Sequence, residues 1–242
     1  MVNFEILKWD SVFFGFTIAK INDECISPKD FGNIYQELKN KKVKLIYWPS
    51  DINCNFQNEI SKEFNGSLVD IKTTYERKLE KIDRLIIERR SSYVELYEKK
   101  QPDDRILEIA VQCGEYSRFK VDLTFPSEKF VELYRTWIIK SLTGDLADKV
   151  LITKKDDLIT GLITVKCKDG IGNIGLVGVH DHYRGLGQGG ILISAALNFF
   201  NEKKCHTVYV ITQGRNQAAC RLYEKFGFSV SVKTNYYHFW IK

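Results

Sequence analysis

The sequence has few structure-breaking residues and no long apolar run. Only 4 of its 242 residues are proline and 16 are glycine, which excludes a collagen-like or linker composition. Hydrophobic residues make up 44% and aromatic residues 13%, so the composition is not that of an intrinsically disordered chain. No apolar run approaches the roughly 18 residues of a membrane-spanning helix. The composition predicts a globular chain with one large or two small domains.

The sequence also lacks a concentration of charge of one sign. Its 36 basic and 31 acidic residues give a net charge of +5, and the two signs alternate, as between Lys72 and Arg105. A nucleic-acid-binding protein usually shows a clustered basic stripe in a recognisable module, and neither is present. We therefore expect no nucleic-acid partner and no membrane partner. The small positive surplus suits a small polyanion such as a nucleotide.

The six cysteines form no C-x-x-C pair, so the common zinc and thioredoxin motifs are absent. The first residues show no cationic segment followed by an apolar stretch, which predicts that there is no signal peptide. We therefore expect a cytoplasmic protein whose thiols are reduced and mostly buried.

Apolar and alternating stretches predict the secondary structure. Strands are expected at residues 45–48, closed by Pro49, and at 151–153, 158–166, 174–179 and 207–212, with one or two more over 228–241; residues 85–87 are also strand-like. Helices are expected over residues 130–142 and 190–200, and a third begins at the N-cap Asn216 and ends at Gly227. Turns are expected at 155–157 and 168–170. A break at residues 102–104 suggests a domain boundary near 103–115.

The stretch from Arg184 to Gly190 (R-G-L-G-Q-G-G) contains four glycines between a predicted strand and an apolar helix. Glycines let backbone N–H groups approach a ligand, and the N-terminus of the following helix favours an anion. This pattern predicts a site for a phosphate-bearing cofactor. The alternative is a tight strand-to-helix turn without a ligand.

Two common phosphate-binding motifs do not fit this loop. Gly185, Gly187 and Gly190 match G-x-G-x-x-G, but a dinucleotide-binding fingerprint normally opens its domain, and only about a fifth of the sequence follows Gly190. The next predicted strand leads to Gln213-Gly214-Arg215, without the acidic residue that binds a ribose. No Gly-Lys-Ser/Thr occurs, so the loop is not a Walker A motif.

The same stretch and a second motif after it resemble those of the Gcn5-related N-acetyltransferases (GNAT). Arg184-x-x-Gly187-x-Gly189 matches their R/Q-x-x-G-x-G/A signature, and residues 216–228 match N-x-x-A-x-x-L-Y-x-x-x-G-F. The resemblance covers about residues 150–230. It implies an α+β GNAT fold, a mixed and mostly antiparallel twisted sheet flanked by helices, with a smaller N-terminal α/β region.

Three other segments are similar to the acetyltransferases that act on TDP-4-amino-4,6-dideoxygalactose (TDP-fucosamine) in surface-polysaccharide synthesis. They are residues 7–15, residues 114–122, and Trp137 with Ser141 and Leu142. The resemblance implies acetyl transfer from acetyl-CoA to the amine of a nucleotide-linked amino sugar. Residues 1–110 would contribute to the acceptor pocket, and residues 111–242 would form the acetyl-CoA-binding domain.

The resemblance also implies the cofactor-binding residues. The loop backbone would hold the pyrophosphate, and the preceding strand, with a bulge at Gly178, would pair with the pantetheine arm. A backbone N–H near Val179 would hold the thioester oxygen. The implied set is Leu176, Val177, Gly178, Val179, Arg184, Gly185, Leu186, Gly187, Gln188, Gly189, Gly190 and Asn216.

On spacing alone, Tyr223 is interpreted as a core residue on one face of a helix. Within the N-x-x-A-x-x-L-Y-x-x-x-G-F string it matches the general acid of the family, which protonates the leaving thiolate. Ser117, Arg118 and Asp122 are candidate substrate-binding residues, because arginine suits phosphate oxygens; the alternative is a surface turn. The candidates for a base are His180, His182, Glu115 and Asp122.

His180 and His182 also have the spacing of a metal pair, but a closed site needs more ligands, so we expect no metal and interpret them as polar loop residues. Other acceptors within the same fold are a protein N-terminus, a polyamine or an antibiotic. A non-catalytic acetyl-CoA-binding module is the alternative from a different class. An exposed edge strand in the C-terminal region would permit a homodimer.

Overall fold

The computed structural model describes residues 3–79 and 94–242, which form two compact units. The first comprises the described residues up to Thr73 together with Gln213–Arg215 and Val232–Lys242, and the second comprises the described residues from Thr74 to Thr212 together with Asn216–Ser231. The strand-like stretch at 85–87 lies outside the described residues. None of the helices in the described ranges is both long and apolar enough to span a membrane.

The two units contain ten strands and eight α-helices within the described residues. The strands are β1 (Phe4–Ile6), β2 (Ile18–Ile21), β3 (Leu45–Asp51), β4 (Ser67–Lys78), β5 (Val94–Leu96), β6 (Lys149–Lys155), β7 (Leu158–Lys168), β8 (Ile171–Val179), β9 (Thr207–Gln213) and β10 (Ser229–Trp240). The helices are α1 (Lys8–Phe14), α2 (Pro28–Asn40), α3 (Gln57–Glu63), α4 (Asp104–Gln112), α5 (Arg118–Val121), α6 (Ser127–Leu142), α7 (Gln188–Glu202) and α8 (Gln217–Lys225). The α+β class predicted from the sequence is confirmed.

In the first unit, β3 lies between β2, to which it is parallel, and β10, to which it is antiparallel. The strand predicted at 45–48 is confirmed, but Pro49 does not close it. Pro49 pairs with Tyr236 of β10, whereas β2 pairs only with residues 45–47 of β3. Beyond residue 47 β2 no longer requires an N–H donor from β3, so a proline is tolerated there.

The first unit also contains a disulfide between Cys25 and Cys54, with a Cα–Cα distance of 5.3 Å. The expectation that all thiols are reduced is therefore wrong for this pair. Cys25 follows β2 and Cys54 follows β3, and parallel neighbouring strands end at the same edge of a sheet. The pairing is thus a product of strand order, which a local motif such as C-x-x-C does not reveal. The other four cysteines are free.

In the second unit the strands follow the order β4-β9-β8-β7-β6-β5, with β8 and β9 parallel and the pairs from β5 to β8 antiparallel. Alternate residues of β7 enter two different cores. Ile163 and Val165 pack in the core that contains α7, whereas Leu162 packs in the core that contains α4 and α6. Because neighbouring side chains of a strand point to opposite faces, helices cover both faces of this sheet.

The predicted elements of the C-terminal half are confirmed within a few residues at each end, and residues 229–240 form one strand rather than two. The turn at 155–157 is a tight hairpin turn in which Asp156 and Asp157 both have positive φ. The turn at 168–170 is of the same kind, with positive φ at Asp169 and Gly170.

Helix α4 was not expected from the sequence. The break at residues 102–104 is the start of this helix, because the side chain of Asp103 accepts a hydrogen bond of 2.9 Å from the backbone of Ile106. The first segment of the first unit ends at Thr73, and α4 lies in the second unit. The division into residues 1–110 and 111–242 stays a prediction. The role of residues 1–110 in the acceptor pocket stays a prediction.

Candidate active site

A gap opens between two parallel strands of the second unit. The pairing of β8 with β9 extends from Ile171–Thr207 only to Ile174–Val210, although both strands continue. The register of β8 against β7 shifts at the same place, since Ile163 pairs with Val177 and Val165 pairs with Ile174. The last part of β8 is therefore paired with β7 on one side, and its other edge is open toward a cleft.

The bulge that causes this shift lies at Gly175 and Leu176, not at Gly178 as expected. These two residues oppose the single residue Thr164, whose hydroxyl accepts a hydrogen bond of 2.8 Å from the backbone of Leu176. A Cβ at position 175 would lie 2.6 Å from that hydroxyl oxygen, so only glycine fits there. The Thr164 hydroxyl thus replaces the ladder hydrogen bond that the bulge interrupts.

Gly178 is required for a different reason, which is the close approach of helix α4. A Cβ at position 178 would lie 2.5 Å from the Cys113 sulfur and 2.8 Å from the Ile109 side chain. The glycine lets the end of α4 pack directly on β8, which places Gln112 and Cys113 beside the open edge.

The open edge of β8 presents backbone donors to the cleft. The N–H of His180 donates to Thr160 of β7 at 2.9 Å, and N–H groups alternate sides along a strand. The N–H groups of Val177 and Val179 therefore point away from β7. The carbonyl of Val179 also faces that side, because it accepts a hydrogen bond of 3.1 Å from Arg184 Nε.

The glycine loop, which is the stretch from Arg184 to Gly190, connects this edge to α7. Gly185 and Gly187 both have φ of +80°, and a Cβ at either position would meet no atom within 4 Å. Backbone conformation, not crowding, requires glycine there. Gly189 and Gly190 instead allow α8 to approach, since a Cβ at each would lie 3.1 Å from Leu222 and 3.2 Å from Phe226, respectively. Gly190 N and Ile191 N donate to the Gly187 carbonyl at 3.0 and 3.2 Å. The N–H groups of Gln188 and Gly189 have no acceptor within the helix and can bind an anion.

The Arg184 side chain is nearly half exposed, and it links the loop to the end of α4. Besides its bond to Val179, its guanidinium contacts Glu115 Oε2 at 3.1 Å and Gln112 Oε1 at 3.5 Å. Glu115, one of the candidate bases, is therefore held in an ion pair with the loop.

His180 is 2% exposed and lies in a charged network. Its Nε2 lies 3.0 Å from Glu108 Oε1 and also contacts Arg105, and its Nδ1 lies 2.8 Å from Asp181 Oδ1. The hydrogen bond from His180, aided by Arg105, holds the pKa of the Glu108 carboxyl below its ordinary value. The network joins the start of the loop to α4.

Ligand atoms of His180, Asp181 and His182 lie within 4.8 Å of one another. His180 already has hydrogen-bond partners at both ring nitrogens, and the His182 side chain is exposed. The expectation that no metal binds stays a prediction.

Asn216 and Tyr223 lie at the start and on the inner face of α8. The Asn216 side chain accepts a hydrogen bond of 3.1 Å from Ala219 N, which confirms it as the N-cap. Tyr223 is 4% exposed and packs on Tyr75 and Phe228. Burial raises the pKa of Tyr223, and the nearby thiols of Cys113 and Cys220 raise it further. Tyr223 is both a core residue and a lining residue of the cleft, and it stays protonated at neutral pH.

The open edge, the loop and α8 enclose a cleft of about 460 Å³, a volume typical of small-ligand sites. Its charged lining residues are Arg184, Arg221, Lys225 and Glu115. The surplus of positive charge at the loop favours an anionic group. Of the residues implied for the cofactor, Leu176 and Leu186 are not among those that line the cleft; the others line it.

Sequence reasoning missed several residues of the cleft. Gln112, Cys113 and Tyr116 come from or follow α4, which the helical spacing of Ile106, Ile109 and Cys113 after an N-cap Asp103 would have indicated. Arg221 and Lys225 are four residues apart on α8, a spacing that places both on one face of a helix.

The candidate substrate residues do not line this cleft. Ser117 is 4% exposed and its hydroxyl has no hydrogen-bond partner among the described residues. Arg118 stacks on Phe119, and Asp122 accepts a hydrogen bond of 3.0 Å from Thr124 N. Their role in substrate binding stays a prediction.

Comparison with known proteins identifies the family. The model of the acetyltransferase (GNAT) family matches residues 105–228, slightly over half of the chain. The chain belongs to this family. The match includes α4, the glycine loop and α8, so the cleft of this acetyltransferase is built from the matched region. A search of curated proteins gives no match.

Solved structures share the fold of this acetyltransferase at low sequence identity. A functionally unknown conserved protein from Staphylococcus epidermidis is 13% identical over 93% of this chain and 85% of its own, with a TM-score of 0.61. A GCN5-related N-acetyltransferase from Sphaerobacter thermophilus is 12% identical over 97% and 75%, with a TM-score of 0.55. A tandem GNAT protein from the clavulanic acid biosynthesis pathway is 12% identical over 91% and 74%, with a TM-score of 0.53. These similarities support the GNAT fold and carry no information on the acceptor.

The family uses acetyl-CoA, and the cleft of this acetyltransferase fits that donor. An extended amide-containing arm can pair with the N–H groups of Val177 and Val179, as a strand added to the sheet. The N-terminus of α7 with Arg221 and Lys225 suits the phosphates.

Proposed function

We propose that this acetyltransferase moves the acetyl group of acetyl-CoA to the amine of a nucleotide-linked amino sugar, a TDP-4-amino-4,6-dideoxyhexose. The observation that supports acetyl-CoA as the donor is the end of the β8–β9 pairing at Ile174 and Val210. Past that point β8 has an open edge beside the glycine loop, where a thioester arm can lie.

Backbone groups on this edge serve the acyl transfer. When bound, acetyl-CoA supplies the activated thioester. The N–H of Val179 donates to the thioester oxygen and stabilises the negative charge that develops there as the amine attacks. Preset donors at a developing oxyanion are commonly the largest contribution to catalysis. The bulge at Gly175 and Leu176 sets the register of this donor.

Tyr223 donates a proton to the leaving thiolate. Its raised pKa lies above the ordinary value of about 8.5 for a thiol, so the proton is available throughout the neutral range. Burial in the α8 core fixes the ring, because Tyr75 and Phe228 pack against it. The attacking amine must be neutral, and Glu115 is the candidate base that lines the cleft.

The proposal for the acceptor rests on the sequence resemblance of residues 7–15 and 114–122 and of Trp137, Ser141 and Leu142 to TDP-fucosamine acetyltransferases. The buried Ser117 hydroxyl and Arg118 lie in the second of these segments. An arginine in that segment is chemically suited to a sugar-nucleotide diphosphate.

The test is acetyl transfer measured by mass spectrometry, with acetyl-CoA as donor and TDP-4-amino-4,6-dideoxygalactose as acceptor. Mass detection is preferable to a thiol-reactive dye, because the free thiols of the protein would react with the dye. We expect a product heavier by one acetyl group. Tyr223→Phe should lower kcat about 100-fold or more and keep acetyl-CoA affinity within about twofold, because the ring remains.

The controls separate the two halves of the proposal. Binding of acetyl-CoA without any product from this sugar would reject the sugar and favour another amine, which a panel of a peptide N-terminus, a polyamine and an aminoglycoside would identify. Binding without transfer to any amine would favour the non-catalytic module. Unchanged turnover in Tyr223→Phe would remove Tyr223 from the mechanism.

A further inference from the structure

Two free cysteines of the second unit lie in direct contact. The sulfur atoms of Cys167, on β7, and Cys205, just before β9, are 2.8 Å apart. A disulfide has a sulfur–sulfur distance of about 2.05 Å, so bond formation requires them to approach by less than an ångström. Cys205 is 5% exposed, whereas Cys167 is only half-buried and is the thiol that a reagent reaches first.

The backbone holds both cysteines at the closed end of the β8–β9 pair. Cys167 pairs with Gly172 across the β7–β8 hairpin. The N–H of His206 donates to Gly170 at 2.8 Å, and Ile171 pairs with Thr207. Hydrogen bonds on both sides of the pair therefore fix the backbones of Cys167 and Cys205 relative to each other, which keeps the two side chains side by side.

We propose that Cys167 and Cys205 are a disulfide-forming pair, and that a small disulfide such as oxidised glutathione converts them to a bond that holds together the closed end of the β8–β9 pair. The chain already contains one disulfide, between Cys25 and Cys54, so its fold is compatible with oxidation.

The chemistry is two successive exchanges. The Cys167 thiol loses its proton to water, and the resulting thiolate attacks one sulfur of oxidised glutathione; a mixed disulfide forms, and one glutathione thiolate leaves and takes up a proton. The Cys205 thiol then loses its proton to water, its thiolate attacks the Cys167 sulfur, and the second glutathione leaves as a thiolate that takes up a proton. Two protein thiols are oxidised and one glutathione disulfide is reduced. Burial and the neighbouring Cys167 raise the pKa of Cys205 to about 12, so the second exchange should quicken as pH rises.

The bond would close a loop that contains β8, the glycine loop and α7. Such a cross-link restricts the unfolded chain and stabilises the folded one. The cysteines lie at the Ile171–Thr207 end of the strand pair, away from the open edge at Val177 and Val179. We therefore expect higher thermal stability with unchanged affinity for acetyl-CoA.

The experiment incubates the full chain with oxidised glutathione, alkylates the denatured protein with N-ethylmaleimide and maps its tryptic peptides. Trypsin releases Cys205 in a peptide of residues 205–215 and Cys167 in a dipeptide of residues 167–168. We expect these two peptides linked, and separated by dithiothreitol. Cys113 and Cys220 should carry the alkyl group, which controls for indiscriminate oxidation.

A second measurement compares melting temperatures before and after oxidation. We expect a rise of about 5 °C or more in the unmodified chain and no rise in Cys167→Ser or Cys205→Ala. Free, alkylated Cys167 and Cys205 after oxidation would overturn the proposal, as would a stable glutathione adduct on Cys167 without ring closure. Acetyl-CoA affinity is measured separately, so failure of this pair leaves the proposed acetyl transfer untouched.

Discussion

Arg184 of the glycine loop and Glu115 beyond α4 form an ion pair of 3.1 Å between Nη1 and Oε2. Both side chains are nearly half exposed, so solvent screens the pair and its contribution to stability is below about 1 kcal/mol. Arg184 also bonds the carbonyl of Val179, at the end of the open edge. The pair therefore adds little to the free energy of unfolding, and its structural effect is to link the loop to the residues that follow α4.

Arg184→Ala should weaken acetyl-CoA binding about tenfold, because it removes the contacts of the Arg184 side chain with Val179, Glu115 and Gln112. Glu115→Gln should weaken binding only a few-fold, since the contacts of Arg184 to Val179 and Gln112 remain. Isothermal titration calorimetry measures both constants. Glu132→Gln, in an exposed pair with Lys129 on α6, is the matched control and should bind normally. Equal effects of the two cleft variants would contradict this account.

Gly178→Ala should destabilise the protein by about 1–3 kcal/mol, because its Cβ overlaps Cys113 and Ile109 of α4. Urea unfolding measures the free energy. Gly185→Ala is a useful contrast, since its Cβ meets no atom but its φ of +80° is strained for alanine. We expect Gly185→Ala to affect ligand binding more than Gly178→Ala for a comparable cost in stability. A neutral Gly178→Ala would show that α4 does not pack on β8 as described.

Alkaline pH should destabilise the protein through its buried tyrosines. Burial raises the pKa of Tyr223 above its ordinary value, and burial with hydrogen bonds to Cys220 and Glu224 raises that of Tyr75. A raised folded-state pKa means that the stabilisation is fully present below about pH 10, the unfolded value, and is lost as pH rises further. Tyr223→Phe should lose less stability between pH 9 and pH 11 than the unmodified chain, measured by urea unfolding. The same shift predicts that Tyr223 causes no fall in kcat below about pH 10.

Acid should abolish the contribution of the Glu108 carboxylate to the stability of the folded chain. Its pKa is lowered chiefly by the hydrogen bond from His180, so its stabilisation is present above about pH 4.3, the unfolded value, and is lost as pH falls through the lower folded value. Because its side chain is 49% exposed, the effect at pH 7 should be below about 1 kcal/mol.

Unfolding of Glu108→Gln and of the unmodified chain at pH 7 and pH 3 tests this, with Glu37→Gln, from an exposed pair with Lys41, as control. Glu108→Gln should lower the free energy of unfolding at pH 7, and this loss should be smaller at pH 3. A loss of equal size at both values would show that the carboxylate charge is not involved.

The sequence by itself determined the local elements and the chemistry of the cofactor half. Hairpin turns, the N-cap at Asn216 and the apolar helix after the glycine loop are set by contacts between residues close in the chain. The glycines at 185 and 187 are required by positive φ, a local property. For this reason the motifs around them predicted the family correctly.

Only the tertiary structure decided features that join distant segments. The bulge lies at Gly175 and Leu176 because the hydroxyl of Thr164, on another strand, accepts a hydrogen bond there. Glycine is required at position 178 because α4 packs against it. The Cys25–Cys54 disulfide and the Cys167–Cys205 contact follow from which strands are neighbours. Register and strand order depend on the packing of the whole sheet, so no window of the sequence contains them.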